Sequence, residues 1–222
     1  MLSDITTVIF DVDGTIADSM WVWSDIDRQF FKDYGIKHPE GFEKEIEGKG
    51  FSELAHYFKD RFGLKESPWQ IMAMWTEMAK DRYAHTVRLK PGFYDLFQHL
   101  KKHGYRIGIA TSNSYELVSI LLRAHGLNGC IDALTSGNEV PVGKPSPEIY
   151  LLTAKKLLAD PKDCLVFEDI SNGILSAKRA GMRVCAVDDP YSKEFEDEKR
   201  FLADYYIVHF DQVLEGSYEV LS

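Results

Sequence analysis

The chain has 222 residues, 45% of them apolar and 27% charged with both signs mixed along it, which suits one large folded domain or a domain carrying a smaller insert and excludes a disordered polyampholyte. The net charge is -9 and Lys and Arg never cluster beyond a pair or two, so neither a nucleic acid nor an anionic membrane is expected as a partner. An anionic substrate would have to meet positive charge from a few placed residues or from a metal.

In chain order, the first predicted strand is Thr7–Phe10 (TVIF), apolar and without alternation, as a strand buried on both faces reads. The stretch before it has no basic start and only a short apolar run. With three cysteines (Cys130, Cys164 and Cys185) and no CxxC spacing, this predicts reduced thiols in a cytoplasmic protein with no membrane span. Helical patterns then run from about 19 to 88. WVWSDIDRQFFKDYG is amphipathic and ends in Gly35, Ser52 opens FSELAHYFKDRFG, and Ser67-Pro68-Trp69-Gln70 reads as a capping box with proline in the first turn.

Five further strands follow: Tyr105–Ala110, Ile131–Leu134, Leu165–Phe167, Arg183–Val187 and Tyr205–Val208. The helices between them close on His103-Gly104, His125-Gly126 and Ala180-Gly181, and open at Asn113–Glu116 and Ser146–Glu148. Strand alternating with helix implies an α/β fold with a parallel sheet. About ninety residues separate the first two strands where a crossover needs about a dozen. The expected organisation is therefore a core of residues 1–17 and 90–222 and a small inserted helical domain, 18–89.

Four motifs fall at strand ends or helix starts, the edge where open α/β sheets bind ligands. Asp11-Val12-Asp13-Gly14-Thr15 follows TVIF. With a metal offsetting its charge, Asp11 can attack phosphorus as a carboxylate nucleophile, and Asp13 can pass a proton to the leaving oxygen. A calcium loop is a poorer reading, because the third carboxylate or amide of that pattern is missing. Thr111-Ser112-Asn113 offers a hydroxyl and backbone N–H groups to a phosphate, although capping alone would account for it. Lys144, in Gly143-Lys144-Pro145, could pair with Asp11 and phosphate oxygens. Glu168-Asp169 puts two acids at the end of an apolar strand, which is costly unless a cation such as Mg²⁺ sits between them. His99 and His103 have metal-like spacing but no third ligand nearby, so a structural role is expected. The aromatic set Trp21, Trp23, Phe30 and Phe31 is expected to be mainly core.

Taken together in this order, DVDGT, Thr111-Ser112, the lysine of VGKPSPEIY and FEDISNGILSAKRAGM resemble the four signature segments of the haloacid dehalogenase superfamily. The resemblance covers about residues 1–17 and 90–210, and the insert resembles the helical cap of the branch that includes β-phosphoglucomutases and sugar-phosphate phosphatases. It implies a Rossmann-like doubly wound parallel sheet with an inserted α-helical cap domain. It also implies a Mg²⁺-dependent phosphatase acting on a small phosphorylated metabolite through an aspartyl-phosphate. By the same resemblance Asp11 is nucleophile and metal ligand, and Asp13 is acid/base with its carbonyl on the metal. Thr111, Ser112 and Lys144 cradle the phosphoryl group, and Asp169 and Glu168 bind the metal, Glu168 directly or through water. A monomer is expected.

Two other functions stand beside this one: a β-phosphoglucomutase-type transfer and a catalytically idle binding module. The intact set of Asp11, Asp13, Lys144 and Asp169 disfavours the idle module. Against the mutase, the histidine that such enzymes carry ten residues after the acid/base is Trp23 here. The arginine after their Gly-x-Ser turn is Glu53, following Gly50-Phe51-Ser52. Lys49 or Lys80 could still supply the missing cation.

Overall fold

A computed structural model describes residues 1–40, 42 and 51–221. It divides into two compact units, 1–20 with 87–222, and 21–86. The larger unit holds β1 (Thr7–Phe10), β2 (Ala17–Asp18), β3 (Arg88–Leu89), β4 (Arg106–Thr111), β5 (Ala133–Ser136), β6 (Cys164–Glu168), β7 (Arg183–Val187), β8 (Tyr205–Ile207) and β9 (Glu219–Val220). The helices of the smaller unit are α1 (Trp21–Asp33), α2 (Phe51–Phe62) and α3 (Pro68–His85). Those of the larger are α4 (Phe93–Lys102), α5 (Tyr115–Ala124), α6 (Glu148–Lys156), α7 (Ser171–Arg179), α8 (Glu196–Leu202) and α9 (Asp211–Glu215).

Seven strands form one sheet in the order β5-β4-β1-β6-β7-β8-β9, parallel except for β9, which runs antiparallel on the edge. The central strands β4, β1, β6 and β7 have side chains buried on both faces, which explains the unbroken apolar runs. On one face Ile9, Val166, Val184 and Ala186 pack with Tyr150 and Ala154 of α6 and Ile174 and Ala177 of α7. On the other, Phe10 stacks on Phe167 at 5.0 Å and meets the edges of Phe93 and Phe210. Each such buried aromatic contributes about 1.5–3 kcal/mol.

Strand limits differ from expectation where the ladder extends them. Thr111 pairs with Ser136 and Glu168 with Ala186, so both lie inside strands rather than beyond them. The expected domain limits shift by about three residues for a similar reason. Ala17–Asp18 pairs antiparallel with Arg88–Leu89, and this two-residue ribbon belongs to the larger unit. Neither ribbon nor β9 carries enough residues to leave a pattern in the sequence.

The helix ends follow the cap chemistry, with two corrections. Ser67 and Gln70 do form a capping box, and Gly104, Gly126 and Gly181 take positive φ just past their helices. At α5, however, Ser114 is the cap, accepting from Leu117 N–H, and Asn113 stands outside. At α6 the N-cap is Pro147 and no side chain caps the helix, so Ser146 does not play the expected part.

The smaller unit is built on an aromatic cluster. The Phe58 ring centroid lies 4.8–5.5 Å from those of Phe30, Phe31, Phe42, Phe62 and Trp75. Truncating Phe58 to Ala would cost about 3–5 kcal/mol by opening that cluster. Phe30 and Phe31 are core, as expected, whereas Trp21 and Trp23 are only half-buried. No helix among the described residues is long and apolar enough to cross a membrane.

Candidate active site

The order β4-β1-β6 puts three strand ends side by side where the chain switches direction across the sheet. Phe10 is level with Ile109 on one side and Phe167 on the other, and Asp11 N–H continues the ladder by donating to Phe167 O at 3.1 Å. The register alone therefore brings Asp11, Thr111 and Glu168 to one edge.

Lys144 joins two of the acids. Its Nζ lies 2.5 Å from Asp11 Oδ1 and 2.5 Å from Glu168 Oε1, with a weaker contact to Ala110 O. Burial works against the charge on Lys144, but Asp11 and Glu168 outweigh it and hold the ammonium above the ordinary lysine range. The Lys144 ammonium also faces the Tyr150 ring, 5.3 Å from its centroid.

Glu168 is completely buried and both of its oxygens are engaged. Oε1 accepts from Lys144 and from Tyr150 O–H (2.9 Å), and Oε2 from the N–H groups of Asp169 (2.9 Å) and Ile170 (3.2 Å). Asp169 is different. Its Oδ1 accepts from Thr15 O–H at 2.8 Å, while its Oδ2 is buried with no hydrogen-bond partner.

Carboxylate oxygens of Asp11, Glu168 and Asp169 all lie within 4.8 Å of one another. Burial, then Glu168 and Asp11, push the Asp169 carboxyl well above the ordinary range. Burial likewise pushes Asp11 up to about 8 despite the opposing Lys144. A buried acid cluster with an orphaned oxygen is a place for a hard divalent cation, and the donors are the carboxylate oxygens that Mg²⁺ takes.

The half-buried Asp13 accepts from Ser19 O–H at 2.6 Å on Oδ1 and from the Asn113 side-chain amide at 2.9 Å on Oδ2. Thr111 is buried, and its hydroxyl accepts from Asn113 N–H at 3.0 Å. That N–H is thereby engaged within the turn, so the cradle foreseen from successive N–H groups is narrower than the motif suggested. Ser112 is exposed at the tip of β4.

Sequence reasoning missed the partners of Thr15, Ser19, Tyr150 and Gly173 in this site, and gave Gly14 only the tight turn after Asp13. Gly14 takes φ +82°, and a Cβ there would fall 2.2 Å from Asp169 Oδ2. Only the Asp-Gly turn hinted at this. Asn113 reads as a cap from the sequence, whereas in the structure its side-chain amide reaches Asp13. His99 and His103 stack on each other at 4.0 Å and, among the described residues, belong to no group of three or more side chains able to hold a metal, and the three cysteines are free.

In the smaller unit, Trp23 packs edge-on against Phe51 at 5.6 Å, Glu53 is exposed and Lys80 pairs with Glu77 at 2.6 Å. Lys49 and Gly50 lie outside the described residues.

Comparison with known proteins agrees with this geometry. The family profile of haloacid dehalogenase-like hydrolases matches residues 8–187. The phosphorylated carbohydrates phosphatase of Thermotoga maritima is 29% identical over 175 residues, covering 79% of this chain and 81% of that protein. Hexitol phosphatase B of Escherichia coli K12 is 27% identical over 213 residues, 90% of each. Among solved structures, CbbY of Rhodobacter sphaeroides in complex with phosphate superposes with a TM-score of 0.78 at 27% identity, covering 94% of this chain and 96% of that one.

Proposed function

We propose a substrate class and a division of labour for this chain, which belongs to the haloacid dehalogenase-like hydrolases and is a phosphatase, a phosphoric monoester hydrolase, of that family. The substrate is a small sugar-phosphate-like metabolite, and the reaction runs through an aspartyl-phosphate on Asp11. The observation that carries this reading is Lys144 held between Asp11 and Glu168, whose carboxylate oxygens lie within 4.8 Å of a carboxylate oxygen of Asp169, an acid that keeps one oxygen buried and partnerless. Relatives that act on phosphorylated carbohydrates and hexitol phosphates support the substrate class.

Mg²⁺ held by the Asp11 and Asp169 carboxylates would supply positive charge against the phosphoryl oxygens. Without it the site opposes its substrate. Burial and mutual repulsion then hold Asp11 and Asp169 toward their protonated forms, and ionising them beside Glu168 and a phosphomonoester would set up to five negative charges against the one of Lys144. Asp11 attacks phosphorus, the bond to the leaving oxygen breaks, and Asp13 delivers a proton to that oxygen. Asp13 then takes a proton from water, whose oxygen displaces Asp11 from phosphorus and leaves inorganic phosphate. Lys144 offsets charge on the phosphoryl oxygens, and Thr111 and Ser112 line the same edge. With all four of its acceptor positions engaged, Glu168 serves this scheme as the anchor that aims Lys144, reaching a metal through water at most.

Hydrolysis is favoured over a mutase by Trp23, which has no acceptor nitrogen where the mutases carry a histidine, and by Glu53, an acid where they carry the arginine that grips a second phosphate. The experiment is a panel of phosphorylated metabolites with Mg²⁺, followed by phosphate release. One arm carries β-glucose 1-phosphate with a catalytic amount of the bisphosphate. Phosphate release from sugar or sugar-alcohol phosphates, abolished by Asp11→Asn, is expected. Glucose 6-phosphate forming faster than free phosphate would make the mutase the better reading.

A further inference from the structure

Lys199 of α8 is completely buried, and the reaction scheme above has no use for it. A buried ammonium forfeits several kcal/mol of hydration. A methionine would fill similar space without that cost, so what the lysine adds is hydrogen-bond donors. Its Nζ donates to Ser192 Oγ at 2.8 Å and to Val187 O, at the carboxyl end of β7, at 3.3 Å.

Ser192 is itself buried, and its hydroxyl has one proton to give. Two carbonyls are in range, Asp169 O at 2.8 Å and Asp189 O at 3.4 Å, and the shorter contact takes the proton. The donor chain thus runs from ammonium to hydroxyl to the main-chain carbonyl of Asp169. The segment carrying Ser192 is braced from its other end as well. Asp189 accepts Tyr191 N–H at 2.8 Å on Oδ1 and pairs with Lys90 at 2.5 Å on Oδ2. Burial pulls the Lys199 pKa down while Asp169, Asp188, Asp189 and Glu196 oppose it.

We propose that Ser192 and Lys199 are positioning residues for the divalent metal, fixing the Asp169 main chain so that its carboxylate, with one partnerless oxygen, stays grouped with those of Asp11 and Glu168. This rests on the reading of Asp169 as a metal ligand. Groups that orient ligands from behind typically change metal affinity by about 10–100-fold when removed.

The test is Mn²⁺ binding to the substrate-free protein, followed by the electron paramagnetic resonance signal of free Mn²⁺, with thermal unfolding of the metal-free protein measured alongside. Ser192→Ala is expected to weaken Mn²⁺ binding about tenfold or more while remaining folded. Lys199→Met is expected to move affinity in the same direction, and if it fails to fold, Ser192→Ala decides alone. Mn²⁺ affinity in Ser192→Ala within twofold of the unmodified protein would overturn the proposal, whatever happens to unfolding. Asp169→Asn separates the two levels: Mn²⁺ binding unchanged in that variant would remove the metal reading itself.

Discussion

Gly173 and Glu168 leave each other no spare room: a Cβ on Gly173 would come within 1.8 Å of Glu168 Oε1 and 2.4 Å of Oε2. The glycine sits in the first turn of α7, where alanine would ordinarily gain up to about 1 kcal/mol of helix propensity. Overlap with a buried, four-fold hydrogen-bonded carboxylate decides the sign instead, since overpacking costs about 1–3 kcal/mol. Gly173→Ala is expected to lower the urea midpoint and, by displacing the anchor of Lys144, to lower kcat. An unchanged midpoint would mean that Glu168 has room to move.

Gly14 stands in the same relation to Asp169, with backbone strain added. At φ +82° an L-residue costs about 1–2 kcal/mol, and its Cβ would point into the Asp169 carboxylate. Gly14→Ala should therefore weaken divalent-metal binding more than Gly173→Ala does, because it displaces the oxygen that has no other partner. Mn²⁺ titration of both variants gives the order, and equal losses would contradict it.

These two glycines also mark how far the sequence could be read. Asp11, Asp13 and the Glu168-Asp169 pair stand at or just past the ends of strands with unmistakable apolar runs, and the sheet register brings Asp11 and Glu168 to one edge, where Lys144 reaches them from a loop. Tyr150, Thr15 and Gly173 act through three-dimensional neighbours that no local pattern encodes. Tyr150 looks like one more apolar position of α6 until Glu168 is found against its hydroxyl. Asn113 and Ser114 are both good helix caps, and only the reach of the Asn113 amide to Asp13 decides between them. The roles of Trp23 and Glu53 depend on a substrate that the sequence does not name.

Asp11 gives a pH prediction. Its carboxyl is pushed up to about 8, chiefly by burial, from an ordinary value near 4. A group raised in the folded state favours folding fully below its unfolded pKa, and that contribution is lost as pH rises through the folded one. In EDTA the melting temperature should therefore fall from about pH 4 toward pH 8 and beyond, as far as Asp11 governs it. Asp11→Asn has no proton to lose and should flatten the curve, gaining most over the unmodified protein at alkaline pH. Added Mg²⁺ should restore alkaline stability to the unmodified protein alone, because the amide is a weaker ligand. Parallel melting curves for the two metal-free proteins would sink this account.

Asp13 can be tested through the leaving group. Its oxygens are seated by Ser19 and Asn113, so Asp13→Asn keeps the shape but turns an amide donor toward one of those donors and removes the transferable proton. General acid catalysis is typically worth about 10²–10⁴-fold. That loss is expected in kcat/KM for an alkyl or sugar phosphate, whose alkoxide cannot depart unprotonated. For p-nitrophenyl phosphate the phenolate leaves without help, so the loss should be far smaller. The parameter kcat/KM is chosen because it reports only the steps through the first phosphoryl transfer, and the second role of Asp13, activating water, then stays out of the measurement. Equal losses on the two substrates would mean that Asp13 supports the metal or the turn rather than the proton transfer.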